Sequence, residues 1–504
     1  MIRVVTAEQM RIADRKAATP ATELMRAAGQ ALAACIRRYL SAGRIIAFAG
    51  PGNNGGDAYA ALAELPDSYE RIVYGDPSGG SPAREGAVSR ARAAGVQFAP
   101  LPSAQADALK ASADALLVLD GIFGTGARLP IVEPFADIIR ALQRTQTRIV
   151  AIDIPSGIDA TTGAIVEPVV PARATVMLGA VKLGLLIEPA RRYAGDLWLA
   201  DIGIDAGAYP PDVEAETFDA AAFLGKLPAR AATADKRSAG APLIVAGSNH
   251  FPGAAVLCAR GAARAGAGYV TVAAPESATA AIRTHLVEAV VIGWPDEYVD
   301  DAVEQLIDLA RNASSIAVGP GLDRSARTAE IIREFLQAVD RPVVADATAL
   351  DHLKDHLELL RRKRIVITPH TTEFARLTGV HITEDNRIAA VREFVRKTGI
   401  VTLLKGPATL IDDGSSLHIN CTNTQALATA GTGDVLTGII ATLLAQGLSP
   451  FDAARTGAHW HGLAGQAAQR ARSVGVMASD VAQALAPALD YARTMADGPL
   501  TRIR

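Results

Sequence analysis

Short apolar segments, each followed by a glycine-rich or acidic turn and then by a helix-forming stretch, recur along most of this chain. Ile45–Ala49, Ala115–Leu119 and Arg148–Ile152 are three such segments in the first half. Alternation of buried strands with helices is typical of parallel sheets that helices cover on both faces. We therefore expect an α/β fold.

The same alternation restarts in the second half of the chain. The further predicted strands are Pro242–Ala246, Tyr269–Ala273, Ser315–Val318, Pro342–Asp346, Arg364–Thr368 and Ile400–Leu404. Between the two halves, Ile202–Asp212 is rich in Gly and Pro and loses hydrophobic periodicity, so we place a linker at residues 206–222. The sequence thus predicts two domains, residues 1–211 and 222–504.

Composition excludes several classes of protein. The 504 residues are 49% hydrophobic and 20% charged, and the net charge of −3 provides no basic field for nucleic acid. Cys35, Cys258 and Cys421 are far apart and odd in number, which favours a reducing cytoplasm over a disulfide framework. The chain shows neither a signal-peptide pattern nor an apolar run of membrane-spanning length, so we expect a cytoplasmic protein without membrane or nucleic-acid partners.

The segment Gly431–Asp434 indicates an anion site at the start of a helix. Gly431 and Gly433 allow a close backbone approach, and the free amides that begin the following helix suit a phosphate. Asp434 would then lie in the first helical turn, where a carboxylate can deprotonate a hydroxyl while the amides hold a phosphoryl group. The alternative is an aspartate that only caps a helix after a glycine turn.

Polar residues follow three strands of the first half. Gly50–Asp57 contains the pattern G-x-G-x-x-G, which alone is weak, together with the unusual pair Asn53 and Asn54. Asp120 follows the next of these strands, and Asp153 with Ser156 follows the third. Parallel strands place their carboxyl ends at one edge, so we expect Asn54, Asp57, Asp120, Asp153 and Ser156 to converge there. Alternatively, each residue caps its own helix or turn.

These first-half motifs resemble the NAD(P)H-hydrate epimerase family. The resemblance rests on Pro51–Asp57, Asp120–Gly126, Asp153–Gly157, Lys182–Leu186 and Asp201–Ile204, which span nearly all of residues 1 to 210. It implies a Rossmann-like three-layer sandwich that interconverts the R and S epimers of hydrated NADH or NADPH. It also implies a potassium ion held by Asn54, Asp120 and Ser156, with Asp153 as the first candidate for proton transfer.

The same resemblance implies which residues bind the hydrated dinucleotide. They are Asn53, Asn54, Gly55, Gly56, Asp57, Gly124, Thr125, Gly126, Ala127, Arg128, Leu129, Pro130 and Asp153.

The second-half motifs resemble the ribokinase-like superfamily and, within it, the ADP- or ATP-dependent NAD(P)H-hydrate dehydratases. The matching segments are Gly247–Ser248, Pro252–Ala254, Arg264–Gly268, Gly319–Gly321, Thr368–His370, Glu373–Leu377, Lys405–Gly406 and Gly431–Asp434. By this resemblance, Ala254, Gly321, His370 and Asp434 contact the hydrated dinucleotide. The adenine nucleotide is expected at Lys405, Gly406, Pro407, Ala408, Thr409 and Gly433.

Two segments depart from the dehydratase pattern. Lys236–Gly240 replaces a Lys-Gly and aromatic-Gly arrangement, and Thr371–Thr372 replaces a Pro-Gly pair. The first bears on the loop expected to cover the substrate and the second on the turn beside the phosphate. Asp434 and Lys405 lie outside both departures.

Together the two resemblances imply a repair enzyme for hydrated NADH and NADPH. The first domain would exchange epimers, and the second would dehydrate the S epimer with ADP and magnesium, giving AMP and phosphate. We expect a homo-oligomer whose partners are NADHX, NADPHX and ADP. Two alternatives remain open at this stage: a ribokinase-like kinase for a vitamin or sugar hydroxyl, and a nucleotide-binding regulatory protein with an inactive catalytic domain.

Overall fold

The computed structural model describes residues 1–102, 105–113, 115–127, 130–361, 364–494 and 500–503. The strands are β1 (Ile2–Val5), β2 (Gly43–Ala49), β3 (Tyr69–Tyr74), β4 (Gln97–Ala99), β5 (Leu117–Gly121), β6 (Arg148–Ile152), β7 (Ala174–Leu178), β8 (Val181–Lys182), β9 (Asp196–Ala200), β10 (Ala215–Thr217), β11 (Pro242–Val245), β12 (Thr271–Pro275), β13 (Val290–Trp294), β14 (Ser315–Val318), β15 (Val343–Ala345), β16 (Ile365–Ile367), β17 (Val401–Leu404), β18 (Thr409–Asp412), β19 (Leu417–Asn420) and β20 (Leu500–Arg502).

The helices lie mostly between the strands. They are α1 (Ala7–Lys16), α2 (Ala21–Tyr39), α3 (Asn53–Ala63), α4 (Pro82–Ala93), α5 (Gln105–Ala113), α6 (Phe135–Arg144), α7 (Ala220–Lys226), α8 (Pro252–Arg264), α9 (Glu276–His285), α10 (Val299–Arg311), α11 (Ala326–Ala338), α12 (Thr348–Leu353), α13 (Thr371–Thr378), α14 (Arg387–Thr398), α15 (Thr432–Ala445), α16 (Pro450–Arg472), α17 (Ala478–Gln483) and α18 (Leu485–Thr494).

The chain divides into two compact units. The N-terminal unit contains Met1–Asp219 and the last strand, β20, while the C-terminal unit contains Ala220–Thr494. The division after Asp219 falls inside the stretch predicted as a linker. That stretch is not free of structure, because β10 pairs antiparallel with β1. β20 pairs antiparallel with β9 of the N-terminal unit, although the sequence prediction grouped it with the second domain.

The N-terminal unit is built around a sheet with strand order β4-β3-β2-β5-β6-β7-β9-β20. All neighbours from β4 to β9 are parallel. The apolar runs Leu117–Leu119 of β5 and Ile149–Ile152 of β6 are buried, as continuous apolar sequence predicts. The order reverses at β2, whose neighbours are β3 and β5, and ligands bind at the carboxyl side of such a reversal in open α/β sheets.

The C-terminal unit contains a second, larger sheet. Its strands run in the order β13-β12-β11-β14-β15-β16-β17-β18-β19, with parallel neighbours from β13 to β17. Strands β18 and β19 extend it as antiparallel neighbours. The order reverses at β11, which lies between β12 and β14. This sheet therefore also has a crevice at the carboxyl ends of its central strands.

Helix α15 lies in the interior of the C-terminal unit, and most of its residues are buried. It packs closely on α8, because glycines at the crossing let the two backbones meet. A methyl group added at Gly438 would overlap the carbonyl oxygen of Cys258, and one added at Gly261 would overlap that of Val435. The position of the turn that begins α15 is thus set by backbone contact with α8.

Within the described residues, no helix is long and apolar enough to cross a lipid bilayer.

We predict that Gly438→Ala destabilises the C-terminal unit by at least about 1–3 kcal/mol, the usual cost of forcing extra atoms into a packed interior. Chemical unfolding followed by circular dichroism measures the change. Gly225→Ala is the matched control, because a methyl group there meets no atom within 4 Å and replaces glycine in a helix. Equal stability of the two variants would contradict the inferred helix contact.

Candidate functional site

A cavity of about 500 Å³ opens in the N-terminal unit where loops follow β2, β5 and β6. It is lined by eight of the residues predicted to bind the dinucleotide: Asn53, Asn54, Asp57, Gly124, Thr125, Gly126, Ala127 and Asp153. Its wall also includes side chains of α1 and α2, among them Asp14 and Met25. Three separate loops thus converge on one space, as their positions after parallel strands predicted.

Other predicted contacts do not line this cavity. Gly55 and Gly56 are buried in the first turn of α3, where the backbone passes close to Gly50 and to Met25. Their lack of a side chain allows α3 to pack closely on Gly50 and on α2. Pro130 is also absent from the cavity wall. The predicted contacts Arg128 and Leu129 lie outside the described residues.

Asp120 and Ser156, two of the predicted potassium ligands, contact each other in the interior. Asp120 accepts hydrogen bonds from the backbone amide and the hydroxyl of Ser156, both at 2.8 Å. Burial raises the pKa of Asp120 to about 6, against the effect of these hydrogen bonds. The third predicted ligand, Asn54, lines the cavity, and its buried Nδ2 makes no hydrogen bond within the described structure.

Asp153 is paired with a lysine that the site prediction did not include. Lys182 Nζ lies 2.5 Å from Asp153 Oδ1, and the lysine side chain is only 1% exposed. Asp153 itself has a φ of 66°, a left-handed conformation that is uncommon outside glycine and occurs preferentially at functional sites. A signal for Lys182 existed in the sequence, because Lys182–Leu186 was one of the matching motifs.

Two further carboxyl groups face the same cavity. Burial raises the pKa of Asp57 well above its usual value, and the nearby Asp153 and Asp14 raise it further. Burial is also the main reason for the raised pKa of Asp14. The cavity therefore combines carboxyl groups that hold protons readily with one carboxylate that is paired to an ammonium group.

In the C-terminal unit, Gly431 precedes α15 with a φ of 88°. This left-handed conformation turns the chain so that the amides of Thr432 and Gly433 begin the helix. Asp434 lies in that first turn, as predicted. Burial raises the pKa of Asp434 to about 7, with Asp346 and Glu373 adding to the shift and Lys405 opposing it. Its proton affinity thus matches that of a general base near neutral pH.

Lys405 directly follows β17, and its ammonium group lies close to two carboxylates. Its Nζ is 2.8 Å from Asp346 Oδ1 and 3.8 Å from Glu373 Oε2. Burial alone would lower the pKa of Lys405, but Asp346 and Glu373 raise it overall. Asp346 also accepts a hydrogen bond from Thr437 of α15 at 2.7 Å. Gly433 faces this group, because a methyl group there would lie 3.5 Å from Lys405 Nζ.

The predicted nucleotide segment Lys405–Thr409 is held by an asparagine outside the prediction. Asn423 Nδ2 donates to the Gly406 carbonyl at 2.7 Å and to Thr409 Oγ1 at 2.8 Å. Asn420 in turn donates to Asn423 Oδ1 at 3.0 Å. The segment is therefore a braced turn that connects β17 with β18.

The predicted dinucleotide contacts of this unit lie on neighbouring loops. Gly321 has a φ of 68° and packs against Ala254, the third residue of α8. His370 caps α13, where its Nδ1 accepts from the amides of Thr372 and Glu373. Its backbone pairs with that of Lys405, since the Lys405 amide donates to the Pro369 carbonyl at 2.8 Å. His370 and Lys405 are thus adjacent.

The two segments that depart from the dehydratase pattern make defined contacts in the structure. Thr371 and Thr372 are the first residues of α13, inside a capping box that His370 and Glu373 complete. In the other segment, Lys236 and Arg237 both lie over the ring of Tyr269.

Four residues that hold these groups in place were not among the assigned site residues: Asp346, Glu373, Asn423 and Lys182. Asp346 ended a predicted strand and Glu373 followed His370 by one helical turn, so both gave a positional signal. Asn423 gave none, since its role depends on β19 lying beside β18.

Comparison with known proteins assigns each half of the chain to a protein family. A family described as YjeF-related protein N-terminus matches residues 21–184, and one described as NAD(P)H-hydrate dehydratase matches residues 242–487. A ribokinase-like superfamily protein from Enterococcus faecalis V583 aligns with 55% of this chain and 96% of its own length, at 24% identity and a TM-score of 0.50. The fold class is therefore a Rossmann-like α/β unit joined to a ribokinase-like α/β unit, which confirms the prediction.

Relatives align with nearly the whole chain. The bifunctional NAD(P)H-hydrate repair enzyme Nnr of Moorella thermoacetica is 34% identical, with 95% of each chain covered. The enzyme of the same name from Pyrobaculum aerophilum is also 34% identical, with 95% of this chain and 97% of the relative covered. This chain belongs to the family of bifunctional NAD(P)H-hydrate repair enzymes, which confirms the resemblance of its motifs.

We predict that Thr437→Val destabilises the C-terminal unit more than Thr442→Val. Thr437 donates to the buried carboxylate of Asp346, whereas Thr442 donates to the neutral carbonyls of Ala262 and Gly438. Hydrogen bonds to charged groups contribute about 1.5–3 kcal/mol and those between neutral groups about 0.5–1.5 kcal/mol. Urea unfolding of both variants tests this order, and a reversed order would show that the Asp346 carboxylate does not depend on Thr437.

Proposed function

We propose that this protein repairs hydrated NADH and NADPH in two steps. The N-terminal unit exchanges the R and S epimers, and the C-terminal unit dehydrates the S epimer at the expense of ADP. The observation that carries the proposal is Asp434, a buried carboxyl with a pKa of about 7 in the first turn of α15. A proton acceptor and the amides of the first helical turn are then close in the chain, as transfer of a phosphoryl group to a hydroxyl requires.

The dehydration begins at the hydroxyl of the hydrated ring. Asp434 takes the hydroxyl proton while the hydroxyl oxygen attacks the terminal phosphoryl group of ADP, and AMP leaves. The amides that start α15 and the ammonium group of Lys405 stabilise the negative charge that spreads over the phosphoryl oxygens. Phosphate then departs with its bonding electrons while the ring loses a proton, which restores the double bond of the reduced nicotinamide.

Residues outside the reaction centre position the two ligands. Asn423 braces Lys405–Thr409, to which we assign the adenine nucleotide together with Gly433. Ala254, Gly321 and His370 contact the dinucleotide in this proposal. We also propose that residues 1–211 carry out the epimer exchange and that residues 222–504 carry out the dehydration.

In the N-terminal unit we assign the epimer exchange to the cavity that contains Asp153. Its carboxylate is held by Lys182 and faces the loop Gly124–Ala127, so a bound ring between them would meet a proton acceptor. Asp57 adds a carboxyl group that keeps its proton readily. Exchange of configuration requires a bond of the hydroxyl-bearing carbon to break and re-form on the other face, and a site that both removes and supplies protons assists each of these steps.

Potassium fits the side chains of Asn54, Asp120 and Ser156. All three offer oxygen atoms, which suit a hard cation, and Asn54 lines the cavity from which an ion would enter. The ion would neutralise the buried Asp120 carboxylate. We propose that magnesium enters with the phosphates of ADP, next to Asp346 and Asp434. The homo-oligomer and the cytoplasmic location stay predictions.

Recovery of reduced-nicotinamide absorbance tests the proposal. Purified protein is mixed with both epimers of the hydrate, magnesium, potassium and either ADP or ATP. Complete recovery with ADP supports both reactions. Recovery that stops when one epimer is consumed removes the epimerase assignment, and a phosphorylated product that accumulates without elimination favours a kinase.

We predict that Asp434→Asn reduces dehydration by at least about 100-fold, because general-base catalysis contributes about 10²–10⁴ in rate. Epimer exchange by the same variant should continue at the unaltered rate, and it serves as the internal control for folding. The measurement follows each reaction separately by chromatography of the two epimers. Dehydration retained near the original rate would refute the assignment of Asp434.

We also predict that dehydration slows as the pH falls below about 7. The pKa of Asp434 is raised to about 7, and only the ionised carboxylate, which predominates above that pH, can accept the hydroxyl proton. The relevant measurement is kcat/KM for the pure S epimer between about pH 5.5 and 8.5, because this ratio reports on ionisation of the free enzyme. A profile without a fall on the acid side would contradict the prediction.

A further inference from the structure

Lys182 ends β8 and lies beneath the cavity of the N-terminal unit. Its Nζ contacts Asp153 Oδ1 at 2.5 Å and the carbonyl oxygen of Leu178 at 2.6 Å. The side chain is 1% exposed, so the ammonium group has lost nearly all of its water. A charge buried in this way is costly unless a partner neutralises it, and Asp153 is that partner.

The two oxygen atoms of Asp153 have different surroundings. Oδ1 accepts from Lys182 and also from the Leu178 amide at 3.0 Å. Oδ2 faces the cavity wall at Gly124, where a methyl group would approach it to 3.4 Å. One oxygen is therefore held by the protein on two sides, while the other is directed at the space that a ligand would fill.

Among the charged groups that line the cavity, Lys182 is the cation that pairs with the Asp153 carboxylate. Asp14 on α1 and Asp57 on α3 line the same cavity as Asp153, and Arg11 and Lys182 are the basic residues in its wall. Burial and, to a lesser extent, the nearby Asp153 raise the pKa values of Asp14 and Asp57. Without Lys182, the carboxylate of Asp153 would have lost its ion pair and would face other carboxyl groups.

We propose that Lys182 is a positioning residue for epimer exchange: by holding Oδ1 of Asp153, it turns Oδ2 toward the hydroxyl-bearing ring of the hydrated dinucleotide. This inference rests on the proposed function of the N-terminal unit. Lys182 transfers no proton itself. Oδ2 of Asp153 takes the hydroxyl proton while the oxygen forms a double bond to its carbon and the bond from that carbon to the ring nitrogen breaks, its electron pair going to the nitrogen. After the freed carbon rotates, the nitrogen re-forms the bond on the opposite face and Oδ2 returns the proton to the oxygen, so the lysine keeps its charge throughout.

Epimer exchange is measured with the full-length protein and the pure S epimer, without nucleotide, so that dehydration does not consume the substrate. Lys182→Met should lower kcat by at least about 100-fold, the scale of a lost acid or base, and change KM little. The same variant should dehydrate the S epimer at the original rate when ADP and magnesium are added. Arg71→Met is the matched control, since Arg71 is a buried cation of the same unit outside the cavity wall.

A double-mutant cycle separates positioning from an independent role. If Lys182 acts through Asp153, the double variant Asp153→Asn with Lys182→Met should be no slower than Asp153→Asn alone. A further loss of about tenfold or more in the double variant would overturn the proposal, because it would show an effect of Lys182 on another group.

Chemical rescue distinguishes positioning from a merely structural role. In Lys182→Ala, methylammonium should restore part of the lost rate, because it can donate N–H groups to Asp153 from the vacated space. Tetramethylammonium has the charge but no N–H group and should not restore it. Equal rescue by both ions, or full exchange by Lys182→Ala without any amine, would overturn the proposal. If the original protein fails to exchange epimers, the proposed function itself fails.

Discussion

Both functional regions depend on burial of both faces of a parallel sheet. Where helices cover each face, the strand interiors must be apolar, and charged side chains are left to the strand ends. The carboxyl ends of the strands in one sheet share an edge, so polar residues distant in sequence meet there. Asp120 and Asp153 illustrate this in the N-terminal unit, and Asp346 and Lys405 in the C-terminal unit.

The two units use the same electrostatic solution with different residues. In each, a lysine pairs with an aspartate that follows a strand, at 2.5 Å for the buried Lys182 with Asp153 and at 2.8 Å for the half-buried Lys405 with Asp346. In each, another aspartate close by has its pKa raised, chiefly by burial. One cation thus neutralises one carboxylate, while the neighbouring carboxyl group is left with a high proton affinity suited to proton transfer.

The sequence predicted the strands well wherever they were short, apolar and bounded by turns. Arg148–Ile152 and Ser315–Val318 are strands with the predicted bounds, and the helix after Gly431 begins where the glycines indicated. It failed for β10, because Ala215–Thr217 has no apolar alternation and becomes a strand only through pairing with β1. Gly55 and Gly56 stay predicted ligand contacts, and nothing in the sequence indicated that a side chain at these positions would meet Gly50 and Met25.

The sequence by itself determined the α/β class, the family and the residues that follow each strand, because these depend on local apolar patterns and on motifs of a few residues. Only the tertiary structure decided which charges pair. Lys182 is far from Asp153 along the chain, and Asn423 braces Gly406 across two strands, so neither contact has a local signal. The pKa of Asp434 was likewise decided by the fold, since burial and the approach of Asp346 and Glu373 set it.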